Sequence, residues 1–123
     1  MSDERKSLGR AGEDLAERYL KRQGYAVVER NYRCPLGEID LIALDNRVVV
    51  FVEVKTRRVD TSGAPLESVN AVKQRRLKRA ALHYLNRYRL HDRDVRFDVV
   101  GISLGSNPSS VRHVRHAFDF SES

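Results

Sequence analysis

The chain has 123 residues, 41% of them hydrophobic. That is enough for one compact core, yet no run approaches the ~20 apolar residues that cross a bilayer. The opening "MSDERKSLGR" lacks the apolar stretch of a secretory signal, and a single cysteine, Cys34, excludes an internal disulfide, so the cytoplasm is the expected compartment. The net charge of +6 favours polyanionic partners and says nothing about fold.

Ser7 to Gln23 reads as a helix, because Leu8, Ala11, Leu15 and Tyr19 recur at three- to four-residue spacing. Gly24 stands where a helix-ending glycine would. Gly9 and Gly12 lie inside this helix, each costing up to ~1 kcal/mol relative to alanine, which suggests that another backbone comes close, although fraying of a first turn would also explain Gly9. Tyr25 to Tyr32 reads as a strand, "RCPLG" as a loop and Glu38 to Leu44 as a second strand. Asp45-Asn46 suits a two-residue turn, since both types tolerate positive φ. Arg47 to Thr56, dense in valine, is a third strand, and "RRVDTSGAPLES" is a polar loop. A long helix follows over about Val69 to Arg89, with Val72, Leu77, Ala80, Ala81, Tyr84, Leu85 and Tyr88 as its inner face. Val95 to Ser103 and Val111 to Phe120 are two last strands around "GSNPSS". The expected order is α-β-β-β-α-β-β, an α/β fold with a mixed central sheet flanked by helices. The helix between the third and fourth strands should make a right-handed crossover if those strands run parallel. Residues 1–123 read as a single domain with no repeat and no linker, residues 1–6 and 121–123 forming loosely ordered ends.

The apolar hairpin "GEIDLIALDNRVVVFVEVK" is interrupted by Asp40, Glu53 and Lys55. With the turn centred on Asp45-Asn46, Leu44 faces Arg47, and strand alternation puts Glu38, Asp40, Glu53 and Lys55 on one face. Ile39, Leu41, Val50, Val52 and Val54 take the other. Asp40 and Glu53 become diagonal neighbours, with Cβ atoms roughly 5.5–7 Å apart. A one-residue slip would separate them. Two carboxylates this close need a proton, a cation or an ammonium group between them. Hard oxygen donors suit Mg²⁺ or Mn²⁺, and a lysine beside such a centre suits phosphodiester hydrolysis. The plainer alternative is a solvated strand face with cross-strand ion pairs, each worth ~0.2–1 kcal/mol.

"GEDLAERYL", "GEIDLIA", "FVEVKTR" and "RFDVV", in this order and spacing, resemble the YraN-like uncharacterised bacterial family. That family is similar to archaeal Holliday-junction resolvases and to the restriction-endonuclease-like PD-(D/E)xK nucleases. The resemblance runs from Gly9 to about Gly101. It implies a restriction-endonuclease-like core in which Asp40 and Glu53 hold a divalent metal, Lys55 serves the nucleophilic water and Glu13 completes the site. The sequence departs from the superfamily's adjacent Pro-Asp pair, because Leu36, Gly37, Glu38 and Ile39 separate Pro35 from Asp40.

Asn70 to Arg89 holds seven Lys or Arg residues and no Asp or Glu, a concentrated basic patch. On a helical wheel Arg75, Lys78, Arg79 and Arg89 point outward, whereas Lys73 and Gln74 flank the inner face and need polar partners there. Arg57 and Arg58, just past the third strand, are placed to meet phosphate. His113 and His116, three apart on a strand, face opposite sides and make a poor metal pair. Cys34 has no matching catalytic histidine motif, and no phosphate-cradling glycine loop precedes either helix.

The expected function is a nuclease using Mg²⁺ or Mn²⁺ to hydrolyse phosphodiester bonds, with DNA favoured over RNA and branched or junction DNA suggested by the family likeness alone. Asp40 and Glu53 ligate metal, joined by a backbone carbonyl near Val54. Lys55 and Glu13 assist the water, and Arg57, Arg58, Lys73, Gln74 and Arg75 hold nucleic acid. A two-fold substrate would favour a homodimer. The alternatives are a nucleic-acid-binding module without catalysis and an adaptor whose basic helix binds an acidic protein.

Overall fold

The computed structural model describes residues 2–58, 69–105 and 109–120. The elements are α1 (Ser2–Arg22), β1 (Ala26–Cys34), β2 (Gly37–Asp45), β3 (Val48–Arg58), α2 (Ala71–Arg87), β4 (Val95–Leu104) and β5 (Ser110–Phe118), the order read from the sequence. The five strands form one sheet in chain order. β3 and β4 pair in parallel, which makes α2 a crossover, and the other neighbours are antiparallel. Met1 and residues 121–123, among the expected loose ends, lie outside the described residues, as does most of the loop between β3 and α2. No helix among the described residues is long and apolar enough to cross a membrane.

The valine run of β3 is continuous because the strand is buried on both faces. Val49 and Phe51 join α2's Leu77, Ala80, Ala81, Tyr84 and Leu85 in one core. Val50 and Val52 join α1's Ala16 and Leu20 in the other. Phe97 stacks on Phe118 at 4.8 Å, and Phe51 meets Tyr84 edge-on at 5.8 Å. Of the inner face expected for the second helix, Val72 and Tyr88 are half exposed. Val72 sits in the first turn and Tyr88 has left the helix as its C-cap.

Three local readings are corrected. α1 begins at Ser2 rather than Ser7. "RCPLG" is not an open loop, for β1 and β2 continue to a tight hairpin with Cys34 opposite Gly37. Gly37 is required there by proximity, since a Cβ would stand 2.9 Å from the carbonyl oxygen of Arg76. The β2–β3 turn is centred on Asn46-Arg47, with Asp45 facing Val48. Only Asn46 of these residues takes positive φ, at 56°, while Asp45 stays in the strand and accepts a 3.0 Å hydrogen bond from Arg96 Nη1. The register is therefore displaced by two residues. An even displacement preserves side-chain faces, so Asp40 and Glu53 still line one cleft. Ile39, expected beside Leu41, instead joins the α2-side core, while Leu41, Val50 and Val52 lie in the α1-side core.

Helix α1 explains one of its two glycines. A Cβ on Gly12 would lie 1.8 Å from Thr56 Oγ1, whereas one on Gly9 would meet nothing within 4 Å. Gly24 takes φ 93° and ends α1, its N–H donating to the Lys21 carbonyl at 3.0 Å.

Candidate functional site in the fork of the sheet

The β2–β3 ladder ends at Leu41 opposite Val52. Beyond it the two strands part company. Ile39, Glu38 and Gly37 pair only with β1, and Glu53 to Arg58 pair only with β4. The sheet is forked, and a cleft of about 770 Å³ opens at the fork, within the usual size of small-ligand sites. Its lining includes Asp40 and Glu53 from the two prongs, the hairpin tip from Arg33 to Glu38, and Lys73, Arg76 and Leu77 from α2.

Asp40 stands at the crotch of this fork, one residue past the last ladder pair. Its Oδ2 accepts the N–H of Val54 at 2.8 Å, replacing a backbone acceptor that the diverging β2 no longer offers. Glu53 is buried, at 8% exposure, and lines the same cleft as Asp40. Burial, and then the Glu53 charge, push the Asp40 carboxyl up to about 8, against the Val54 hydrogen bond, which lowers it. Lys73 Nζ donates to Glu53 Oε2 at 3.0 Å, and that hydrogen bond raises the lysine's own pKa. The compensating group that an acidic pair demands is thus an ammonium supplied by α2. The inward lysine read from the helical wheel has found the sheet-borne acid it needed.

The other residues singled out from the sequence are spread around this centre. Glu13, on α1, adds to the upward push on Asp40 through its charge but does not line the cleft. Its Oε1 is held by Arg30 Nη2 at 3.4 Å and by Asn31 Nδ2 at 3.3 Å, and Arg30 also bonds Asp14 and Glu17. Lys55 is half-buried and lies outside the cleft lining. Arg57 donates from Nε to Ser103 Oγ at 3.3 Å, and Arg58 is exposed at the end of β3. Gln74 turns back to its own helix start, donating to the Val69 carbonyl at 2.8 Å, and Arg75 is exposed.

Sequence reasoning misses Arg76 and the hairpin tip as cleft walls, the latter because "RCPLG" reads as a loop. It also misses the clamp on Glu13, though an asparagine within a strand is a signal. Asn31 takes φ 52°, a conformation asparagine tolerates better than most residues, and Tyr32 after it joins the α2-side core. A second polar cluster lies on the α1 side. Asp98, 1% exposed, receives Arg96 Nε at 2.9 Å, Arg96 Nη2 at 3.1 Å and the His116 N–H at 3.0 Å. His113 links Asp98, 2.7 Å from its Nε2, to the Tyr19 hydroxyl, 3.1 Å from its Nδ1. Arg96 also bonds the Tyr25 hydroxyl. His113 and His116 serve one aspartate, His113 by its side chain and His116 by its backbone.

The donor chemistry at the fork fits a hard divalent cation. Two adjacent carboxylates compete for one compensating charge, and Mg²⁺ or Mn²⁺ is held by one or two carboxylates with waters completing the shell. No larger cluster of three or more His, Cys, Asp or Glu able to hold a metal occurs among the described residues.

Fold and cleft together define a small α/β protein whose described residues form a five-stranded mixed sheet and two helices, with an acidic pair set in the fork of that sheet. Within this class the chain belongs to the uncharacterised protein family UPF0102, whose profile matches residues 12–102. A UPF0102 protein of Syntrophotalea carbinolica is 47% identical over 119 residues, covering 97% of each chain. One of Geotalea uraniireducens is 48% identical over 115 residues, covering 93% of this chain and 91% of its own. One of Rhodococcus opacus is 48% identical over 113 residues, covering 91% and 96%. The YraN-like resemblance carried by "GEIDLIA" and "FVEVKTR" is borne out at the level of the family.

Proposed function

We propose that this protein is a metal-dependent nuclease that hydrolyses phosphodiester bonds in nucleic acid, DNA before RNA, with the fork as its active site. The observation that carries this reading is the apposition of Asp40 and Glu53 in a cleft walled by basic side chains. Asp40 and Glu53 would hold Mg²⁺ or Mn²⁺, which supplies charge neutralisation at the phosphate and lowers the pKa of a bound water. Lys55, two residues beyond Glu53, is assigned to orienting the attacking water. Glu13, kept in place by Arg30 and Asn31, adds negative potential behind Asp40. Lys73 and Arg76 at the cleft, with Arg57, Arg58, Gln74 and Arg75 around it, would position the phosphate backbone, giving affinity rather than sequence preference. A branched or junction substrate and a homodimer matched to it are part of this proposal.

The ion pair of Lys73 with Glu53 favours a second reading, a nucleic-acid-binding module in which the acidic pair is permanently neutralised. The two are separated by incubating the protein, beside Asp40→Asn and Glu53→Gln variants, with linear duplex, single-stranded and four-way-junction DNA in Mg²⁺ or Mn²⁺. The nuclease reading expects cleavage that falls by at least ~10²-fold in each variant. Salt-sensitive binding with no cleavage of any substrate would establish the module instead. Cleavage that persists in both variants would place the chemistry elsewhere.

A further inference from the structure

The position of Lys73 in its helix is electrostatically unfavourable. Asn70 is the N-cap of α2, and its Oδ1 accepts the Lys73 N–H at 2.9 Å, so Lys73 is the third residue of the first turn. That position favours glutamate or glutamine, and the helix N-terminus repels cations by ~0.3–1 kcal/mol. The first turn of α2 contains no acidic residue at all. A local rule broken in this way marks a functional position. The compensation lies across the cleft, in the 3.0 Å contact with Glu53. The two partners differ sharply in exposure: the Glu53 side chain is 10% exposed and that of Lys73 is 54% exposed. The acid is fixed in the sheet. The lysine backbone is pinned by the cap, while its four-carbon arm reaches in from the solvent side and has room to leave. Of the other basic residues at the cleft, Arg33 is occupied with Glu38 at 3.2 Å.

We propose that Lys73 is a built-in counter-cation, seated on the acidic pair in the metal-free protein and withdrawn when a divalent cation takes both carboxylates. The inference rests on the metal-binding reading of the fork and adds a regulatory step to it. Lys73 keeps Asp40 and Glu53 together without metal and sets a threshold that metal must exceed. The threshold arises because the ammonium and the metal compete for the same Glu53 oxygen.

The test is Mn²⁺ binding by calorimetry to the full chain and to Lys73→Met and Lys73→Arg variants, with Asp40→Asn as the control for site. Removing the competing charge should tighten Mn²⁺ binding at least about tenfold in Lys73→Met, leave Lys73→Arg near wild type, and leave Asp40→Asn weak. A second measurement needs no variant at Lys73: its ε-amine should become more reactive to reductive methylation, read by mass spectrometry, when saturating Mn²⁺ is added. Mn²⁺ binding that is equal or weaker in Lys73→Met, or an amine whose reactivity is unchanged by bound Mn²⁺, overturns the counter-cation role and leaves the metal site standing. No Mn²⁺ binding by wild type or by any variant overturns the role and the metal reading together.

Discussion

Asp40 and Asp98 are both aspartates within strands, and their surroundings move them in opposite directions. Burial raises both carboxyls. At Asp98 the hydrogen bonds from His113, Arg96 and the His116 N–H outweigh burial and hold the group below its ordinary value. At Asp40 burial is joined by the charge of another carboxylate, Glu53, and the group is pushed up to about 8 from an ordinary 3.8. The sign of the linkage follows. Folded Asp40 keeps its proton over a range where the unfolded chain has released it. The stability it contributes is full below its ordinary value and is lost as pH rises toward about 8. Asp98 contributes stability above the ordinary carboxylate range that is lost as pH falls through its lowered value. Urea unfolding in chelator-treated buffer should therefore show wild type losing stability relative to Asp40→Asn between about pH 4 and pH 8. A pH-independent difference would mean that Asp40 is not so perturbed. The residue types at the fork were legible in the sequence, because acids are scarce in apolar strands. The occupant of the Glu53 contact was half legible: the wheel turns Lys73 inward, but its reach to another element is set by how α2 packs on the sheet. The buried Asp98 cluster was not legible, since its partners Arg96, His113 and His116 come together only through a widening of β5. Phe97 pairs with Phe118 while Val99 pairs with Val114, so Arg115 to Ala117 stand opposite Asp98 alone. No local signal specifies which strand that excess will face.

At the scale of elements, α1 and β3 touch through the smallest side chain available. The contact of Gly12 with Thr56 lets the helix lie on the strand just beyond Glu53, which brings Glu13 close enough to influence Asp40. Gly12→Ala should cost ~1–3 kcal/mol by overpacking, despite alanine's better helix propensity. Gly9→Ala, with open space around it, should be neutral or stabilising by up to ~1 kcal/mol. Thermal melts of the two variants check the contrast, and equal effects would show that the close approach carries no weight. From the sequence only Gly9 has a second account, fraying of a first turn, and the structure removes it, since α1 begins at Ser2. The turn after β2 shows the complementary limit. Composition located it to within two residues, and the choice fell on Asn46 because Asp45 is tied to Arg96 from a distant strand. The faces of Leu41, Val50, Val52 and Val54 nonetheless came out right, since an even error in register preserves side-chain direction. Ile39, by contrast, turns to the α2 side with its partner Tyr32, next to the positive-φ Asn31.

Over the whole molecule, the hydrophobic pattern was sufficient to order seven elements, because strands and helices bury apolar residues at different periods. It was insufficient to show where the sheet opens. Beyond Leu41 and Val52 the fork leaves two prongs, an arm in which β2 pairs only with β1 and a body in which β3 pairs only with β4. Asp40 belongs to the arm and Glu53 to the body, so whatever draws the two carboxyls together also latches the arm. A protein's least protected amides report such local opening. Deuterium uptake should slow at Val54 and along Gly37 to Asp40 when Mn²⁺ binds, while the shared ladder from Leu41 to Asp45 stays unchanged. Uptake that ignores the cation would show the arm to be rigid already. The hairpin tip touches the Arg76 carbonyl, so the latch reaches α2 as well. A cation a few ångströms across would then set the stiffness of a helix, a hairpin and the groove between them.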